Sequence, residues 1–144
     1  MLGRLARWLR LAGWDASFDA TLAGPGLAGQ ARAQGRWLLT CDRRLAAAAG
    51  PRVVLLHANG VAAQIRELRQ RLPLTAPPTR FLTRCSTCNG ELAPVAREAA
   101  ARLVPPYIAA HASRFMACSG CGRVYWPGSH AAAITHRIEA WFRA

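Results

Sequence analysis

The chain has 144 residues, 52% of them apolar, with 19 Lys plus Arg against 7 Asp plus Glu and a formal net charge of +12 at pH 7. That length and apolar share exclude a disordered tail and allow the core of one domain or two small ones. No run of about eighteen uncharged apolar residues occurs, as a membrane helix requires, and the apolar opening Met1–Trp14 is interrupted by Arg4, Arg7 and Arg10, so neither a span nor a cleavable signal is expected.

A soluble, cytoplasmic protein without a membrane partner follows as the expectation. Every basic residue is arginine. Such a surface attracts polyanions, because guanidinium forks pair with phosphates and stack on bases. A polyanionic partner is the expectation, and a generically basic surface of compositional origin is the alternative.

In chain order, Leu2, Leu5, Trp8, Leu9 and Ala12 recur at helical spacing with the arginines on the other side, and Gly13 is the terminator. The stripe Leu5, Trp8, Leu9 reads as core. A second helix is expected over Leu27–Gln34, closed by Gly35 and preceded by a Gly24-Pro25-Gly26 break outside any helix. Arg36–Thr40 has the apolar continuity of a buried strand, and Asp42 follows at its carboxyl end. Arg43–Ala49 reads as helix, Pro51–Leu56 as a second buried strand and Val61–Leu72 as an amphipathic helix. Strands alternating with helices imply a parallel sheet, whose sites lie at the carboxyl ends of the strands. That rule points to Thr40–Asp42 and His57–Asn59.

Pro73, Pro77 and Pro78 mark a linker, after which the composition changes to paired cysteines and glycines with a closing helix from about Ser129 to Phe142. A boundary near residue 77 is expected, giving an α/β domain over 1–76 and a zinc domain with a C-terminal helix over 77–144.

Five cysteines are an odd number, and four form two Cys-x-x-Cys pairs, Cys85/Cys88 and Cys118/Cys121. The count disfavours a disulfide framework. Two thiolates at this spacing reach one ion from a single turn, and four soft ligands in tetrahedral order suit a structural zinc with no position open for water. A redox dithiol pair or an iron–sulfur cluster is the rival reading. Cys41 reads as a small half-buried residue at a strand end.

Aromatic residues interleave with arginines at Arg114-Phe115, Arg123–Trp126 and Trp141–Arg143, a pattern that stacks bases and grips phosphates or packs a core. His57, His111 and His136 are isolated and take no role.

Several segments together resemble one family: the opening Met1–Asp15, the strand Gly35–Leu45, the knuckle Arg84–Gly90, the element Val104-Pro105-Pro106-Tyr107, and Cys118–His130. In that order they are similar to the Mut-7 C-terminal RNase domain family over nearly the whole chain. The resemblance implies a PIN-like α/β nuclease fold followed by a four-cysteine zinc ribbon. PIN-like nucleases hold Mg²⁺ or Mn²⁺ with Asp and Glu side chains at the sheet's carboxyl edge, and Asp42 matches one of these acids. RNA contacts are expected from Arg4, Arg7, Arg43, Arg44, Arg123 and His130, the last matching the family's Gly-Ser-His ending.

The sequence departs from the family at two acids. A strand ending in aspartate precedes the family's first helix, and the present sequence opens at Met1. A second acid falls where Gly24-Pro25-Gly26 stands, with Asp19 and Asp15 as nearby carboxylates. One carboxylate does not hold a divalent pair tightly. Two expectations follow: a metal-dependent ribonuclease with Asp42 as catalytic ligand, impaired unless an upstream segment restores the first acid, or a non-catalytic RNA-binding or protein-interaction module on the same fold.

Overall fold

The computed structural model describes residues 2–22 and 24–143. The chain is mixed α/β and divides into two compact units, one made of Met1–Ala6 with Phe18–Thr75, the other of Arg7–Ser17 with Ala76–Ala144. The expected boundary at 77 falls beside the second segment of the second unit. The stretch Arg7–Ser17, assigned to residues 1–76 on sequence, groups with the C-terminal half.

Helix α1 (Gly3–Leu11) runs through this division. Leu5 and Leu9 are buried on its apolar stripe, while Arg4 and Arg7 are exposed. The helix stops at Gly13, whose φ is +89°, and a Cβ there would lie 2.2 Å from the carbonyl oxygen of Arg80. Only glycine meets both the left-handed backbone and the close approach.

In the first unit, α2 (Gly24–Ala33), β1 (Leu38–Thr40), α3 (Arg43–Ala48), β2 (Val53–Leu55) and α4 (Val61–Arg71) follow in order. The Gly24-Pro25-Gly26 segment, expected outside any helix, forms the first turn of α2. The first four N–H groups of a helix have no intrahelical acceptor, so a proline there loses no bond.

Strands β1 and β2 pair in parallel with Leu38 opposite Val53, Leu39 opposite Val54 and Thr40 opposite Leu55. They are shorter than the apolar runs that encode them, and Trp37, just before β1, is 49% exposed. Leu38, Ala28 and Ala49 form a buried cluster with Leu27, Ala31, Leu45 and Val53 packed on it, the crossover arrangement by which helices cover a parallel sheet.

In the second unit a 3-10 turn (Pro78–Arg80) precedes β3 (Leu92–Val95), α5 (Arg97–Ala100), α6 (Pro106–His111), β4 (Phe115–Cys118), β5 (Val124–Tyr125) and α7 (Ser129–Arg143). The segment of paired cysteines and glycines contains an antiparallel sheet in the order β3-β4-β5. Leu92 faces Cys118, Val95 faces Phe115 and Met116 faces Tyr125. Pro94 lies in β3, an edge strand, where its missing N–H need not disrupt the ladder.

Phe115, Ala100, Val104 and Ala112 make one core, joined by Val95, Ile108, Ala109 and Val124. Leu11, Ala12 and Ile138 make another with Trp8, Trp14, Phe81, Leu82, Ile134 and Phe142 around it. This second core is why residues 7–17 belong with the C-terminal half. Among the described residues no helix is long and apolar enough to cross a membrane.

Candidate metal centre

Cys85 and Cys88 lie in a turn that leads into β3, while Cys118 ends β4 and Cys121 lies in the turn between β4 and β5. The antiparallel register brings the two turns together, and the four Sγ atoms lie within 4.8 Å of one another. Cys85 and Cys118 are buried, Cys88 and Cys121 exposed. Sγ of Cys85 is 3.7 Å from that of Cys121, and Sγ of Cys88 is 3.3 Å from that of Cys118. These separations exceed a disulfide bond of about 2.05 Å. The Cys85–Cys121 separation matches the edge of about 3.8 Å that a tetrahedron with metal–sulfur bonds of about 2.3 Å has, and the Cys88–Cys118 separation is shorter than that edge. Four close cysteines of this arrangement could hold a metal such as zinc.

The two knuckles repeat one local design. The residue after the second cysteine takes a left-handed conformation in each, Asn89 at φ 72° and Gly122 at φ 72°. The N–H of Asn89 donates to the Cys85 carbonyl and that of Gly122 to the Cys118 carbonyl, both at 3.0 Å. The first cysteine of each pair accepts backbone N–H groups from its own turn: Cys118 from Gly120 at 3.3 Å and Cys121 at 3.5 Å, Cys85 from Thr87 and Cys88. A Cβ on Gly90 would lie 2.7 Å from Sγ of Cys118, and one on Gly120 would lie 3.2 Å from Sγ of Cys88. These glycines leave room for sulfur.

Without a cation, four neighbouring thiols cannot all ionise. Burial pushes the Cys85 thiol up, but the Tyr125 hydroxyl at 3.0 Å, the two amides of its turn and Cys121 together bring it down to about 6. The Gly90 amide pulls Cys88 down, while Cys118, burial and the other two sulfurs raise it to about 11. Burial raises and hydrogen bonds from Cys121, Cys88 and Gly120 lower Cys118, leaving it below its ordinary value. The Tyr125 hydroxyl is itself raised, by burial and by Cys85. A divalent cation would remove the conflict by binding all four as thiolates and releasing the remaining protons.

Beneath the first knuckle lies Arg10, only 6% exposed although expected on the polar side of α1. Its guanidinium donates to the carbonyls of Ala16 at 2.7 Å, Thr87 at 2.9 Å and Ser86 at 3.3 Å. Burial lowers its pKa, and Cys85, Cys88 and Asp15 oppose that shift. The Ala16 N–H donates to Oδ1 of Asn89 at 3.1 Å, whose Nδ2 donates to Asp15 at 2.7 Å. The end of α1 and the first knuckle are thus one hydrogen-bonded body.

Asp42 stands, as expected, directly beyond β1, with its carboxylate capping α3: Oδ1 accepts from the N–H groups of Arg44 at 2.8 Å and Leu45 at 3.2 Å. Among the described residues the group of three or more close His, Cys, Asp or Glu ligands is the cysteine cluster; Asp42 belongs to no such group. Arg43 and Arg44 are exposed beside it in the same unit, as is Arg4. Arg7, Arg123 and His130 are exposed in the other unit, where the Arg123 carbonyl accepts from the Cys118 N–H at 2.9 Å. Asp19 is exposed and bonds the Thr21 N–H at 2.8 Å and hydroxyl at 2.6 Å. Cys41 is half-buried.

At the carboxyl end of β2, the Glu67 carboxylate accepts from the N–H groups of His57 and Ala58, each at 3.0 Å, and lies 3.1 Å from Nδ1 of His57. Sequence reasoning missed this loop clamp, and it missed Arg10 and Tyr125 as supports of the sulfurs. The available signals were an acid alone among the arginines of α4, and an arginine in the last turn of α1. Of the aromatics expected either to stack bases or to pack a core, Phe115 is buried, Trp141 meets Trp8 edge-on at 4.7 Å and Tyr125 bonds Cys85, while Trp126 is 36% exposed.

Compared with known proteins, residues 1–138 match a family model described as Mut7-C RNAse domain. No curated protein and no solved structure gives a match.

Proposed function

The chain belongs to the Mut7-C RNAse domain family, and from that membership we propose that it acts on RNA as a PIN-like, Mg²⁺- or Mn²⁺-dependent ribonuclease, with zinc held by Cys85, Cys88, Cys118 and Cys121 as a structural ribbon. The observation that carries the reading is the position of Asp42. It leaves β1 at the carboxyl edge of the parallel sheet, where α/β folds place their sites. Arg43 and Arg44 follow it, exposed and able to pair with phosphate.

Mg²⁺ is commonly bound by one or two carboxylates completed by water and substrate phosphates. Asp42 fits that arrangement as a single protein ligand, so tight metal binding would require RNA. When bound there, the ion would supply water activation and charge stabilisation at the phosphate. Asp42 would orient it while keeping its bonds to the amides of α3.

A second reading, an RNA-binding module that does not cut, is favoured by the capping role of Asp42 and by the lack of a second carboxylate grouped with it among the described residues. Labelled single-stranded RNA with Mn²⁺ separates the two when wild type is compared with Asp42→Asn, which keeps an oxygen for the cap and loses the charge. Metal-dependent cutting that disappears in Asp42→Asn supports the ribonuclease. Retention of RNA without cutting by either form supports the binding module.

A further inference from the structure

Besides Trp126 of the arginine–aromatic pairs, the second unit exposes an aromatic residue that lies outside them. Tyr107 is 70% exposed on α6, and Leu103, one turn of chain earlier, is 68% exposed. The Tyr107 ring stacks on His111, with centroids 4.2 Å apart and planes inclined by 24°. Nδ1 of His111 lies 2.8 Å from the Tyr107 carbonyl. A carbonyl only accepts, so Nδ1 carries the proton and the imidazole is fixed in tautomer and orientation.

The helix beneath is held firmly. Pro105 and Pro106 open α6, where proline's fixed φ suits the first turn. Ile108 and Ala109 pack on the core of Ala100, Val104, Ala112 and Phe115. Arg97 donates to the carbonyls of Ala109 and Ala112, closing the end of the helix. The two rings are therefore displayed outward on a fixed support.

Resting on the reading that this chain acts on RNA, we infer that the Tyr107–His111 ring pair is a base-stacking platform for single-stranded RNA. A preformed, outward-facing stack offers a π-face to an unpaired base at little ordering cost, and each such contact changes affinity substantially without reading sequence. Charge favours the same occupant. Arg102 and Arg114 are exposed at either side of the segment in sequence, against the acid Glu98.

The test uses the full-length, zinc-loaded chain and a fluorescent single-stranded oligonucleotide, with an RNA duplex as comparison and anisotropy as the readout. Tyr107→Ala should weaken single-strand binding about tenfold, leave its salt dependence unchanged and leave duplex binding unaffected, since paired bases present no free face. Tyr107→Phe, which keeps the ring, should bind as wild type and serve as the folding control. Single-strand affinity in Tyr107→Ala within twofold of wild type would overturn the platform while leaving RNA binding intact. Wild type that binds no RNA would overturn the RNA reading and the platform together. A change in oligomeric state on Tyr107→Ala with unaltered RNA affinity would overturn the platform in favour of a protein interface.

Discussion

Arg10 is a buried cation whose donors meet three backbone carbonyls, two of them in the first cysteine turn. A tetrahedral zinc–thiolate centre carries a charge of about −2, so a fixed positive group beside it both shapes the turn and offsets the charge. Arg10→Met should therefore release zinc faster to a competing chelator, with metal affinity falling on the order of 10-fold to 100-fold, as for other groups that hold metal ligands in place. Arg10→Lys should fall between the two, because an ammonium cannot reproduce the planar fork. Tyr125 acts on one sulfur. Cys85 is lowered from 9.0 to about 6, so the stability tied to its thiolate is fully present above pH 9.0 and is lost as pH falls through about 6. Tyr125→Phe removes a donor to that thiolate, and the midpoint of acid-induced zinc release should move to higher pH, as read by a zinc-sensitive dye.

At the scale of an element, Asp42 has a structural role separable from any catalytic one. Its Oδ1 caps α3, a helix of six residues, and loss of such a cap costs about 1 kcal/mol. Asp42→Ala should lower the thermal midpoint by a few degrees, whereas Asp42→Asn should leave it nearly unchanged. The pair thus distinguishes loss of fold from loss of chemistry. Glu67 does comparable work at the end of β2. Burial raises its carboxyl, but the Ala58 amide and the amide and imidazole of His57 bring it below 4.5. The stability it contributes is present above pH 4.5 and lost as pH falls through the lower folded value. Thermal melts should show Glu67→Gln less stable than wild type at pH 7, with the difference closing toward acid.

Across the whole molecule, the second unit has two small apolar clusters and a three-stranded sheet whose turns carry the four cysteines. Zinc bound at these cysteines, as proposed, would contribute on the order of 10 kcal/mol to folding. Chelation should therefore raise hydrogen exchange in β3, β4 and β5, and zinc addition should restore protection. The pairing of the four cysteines was legible from spacing alone, because a Cys-x-x-Cys turn is a local geometry. The same holds for the amphipathic α1 and for Asp42 at the end of β1, where apolar periodicity and a strand-end acid are written in consecutive residues. Gly24-Pro25-Gly26 reads as a break because a helix's first turn tolerates residues that its interior does not. The grouping of residues 7–17 with the C-terminal half, the burial of Arg10 under a distant knuckle and the outward display of Tyr107 were decided only by tertiary structure. Each depends on which surfaces meet after long stretches of chain have folded back, and periodicity and spacing describe only neighbours along the chain.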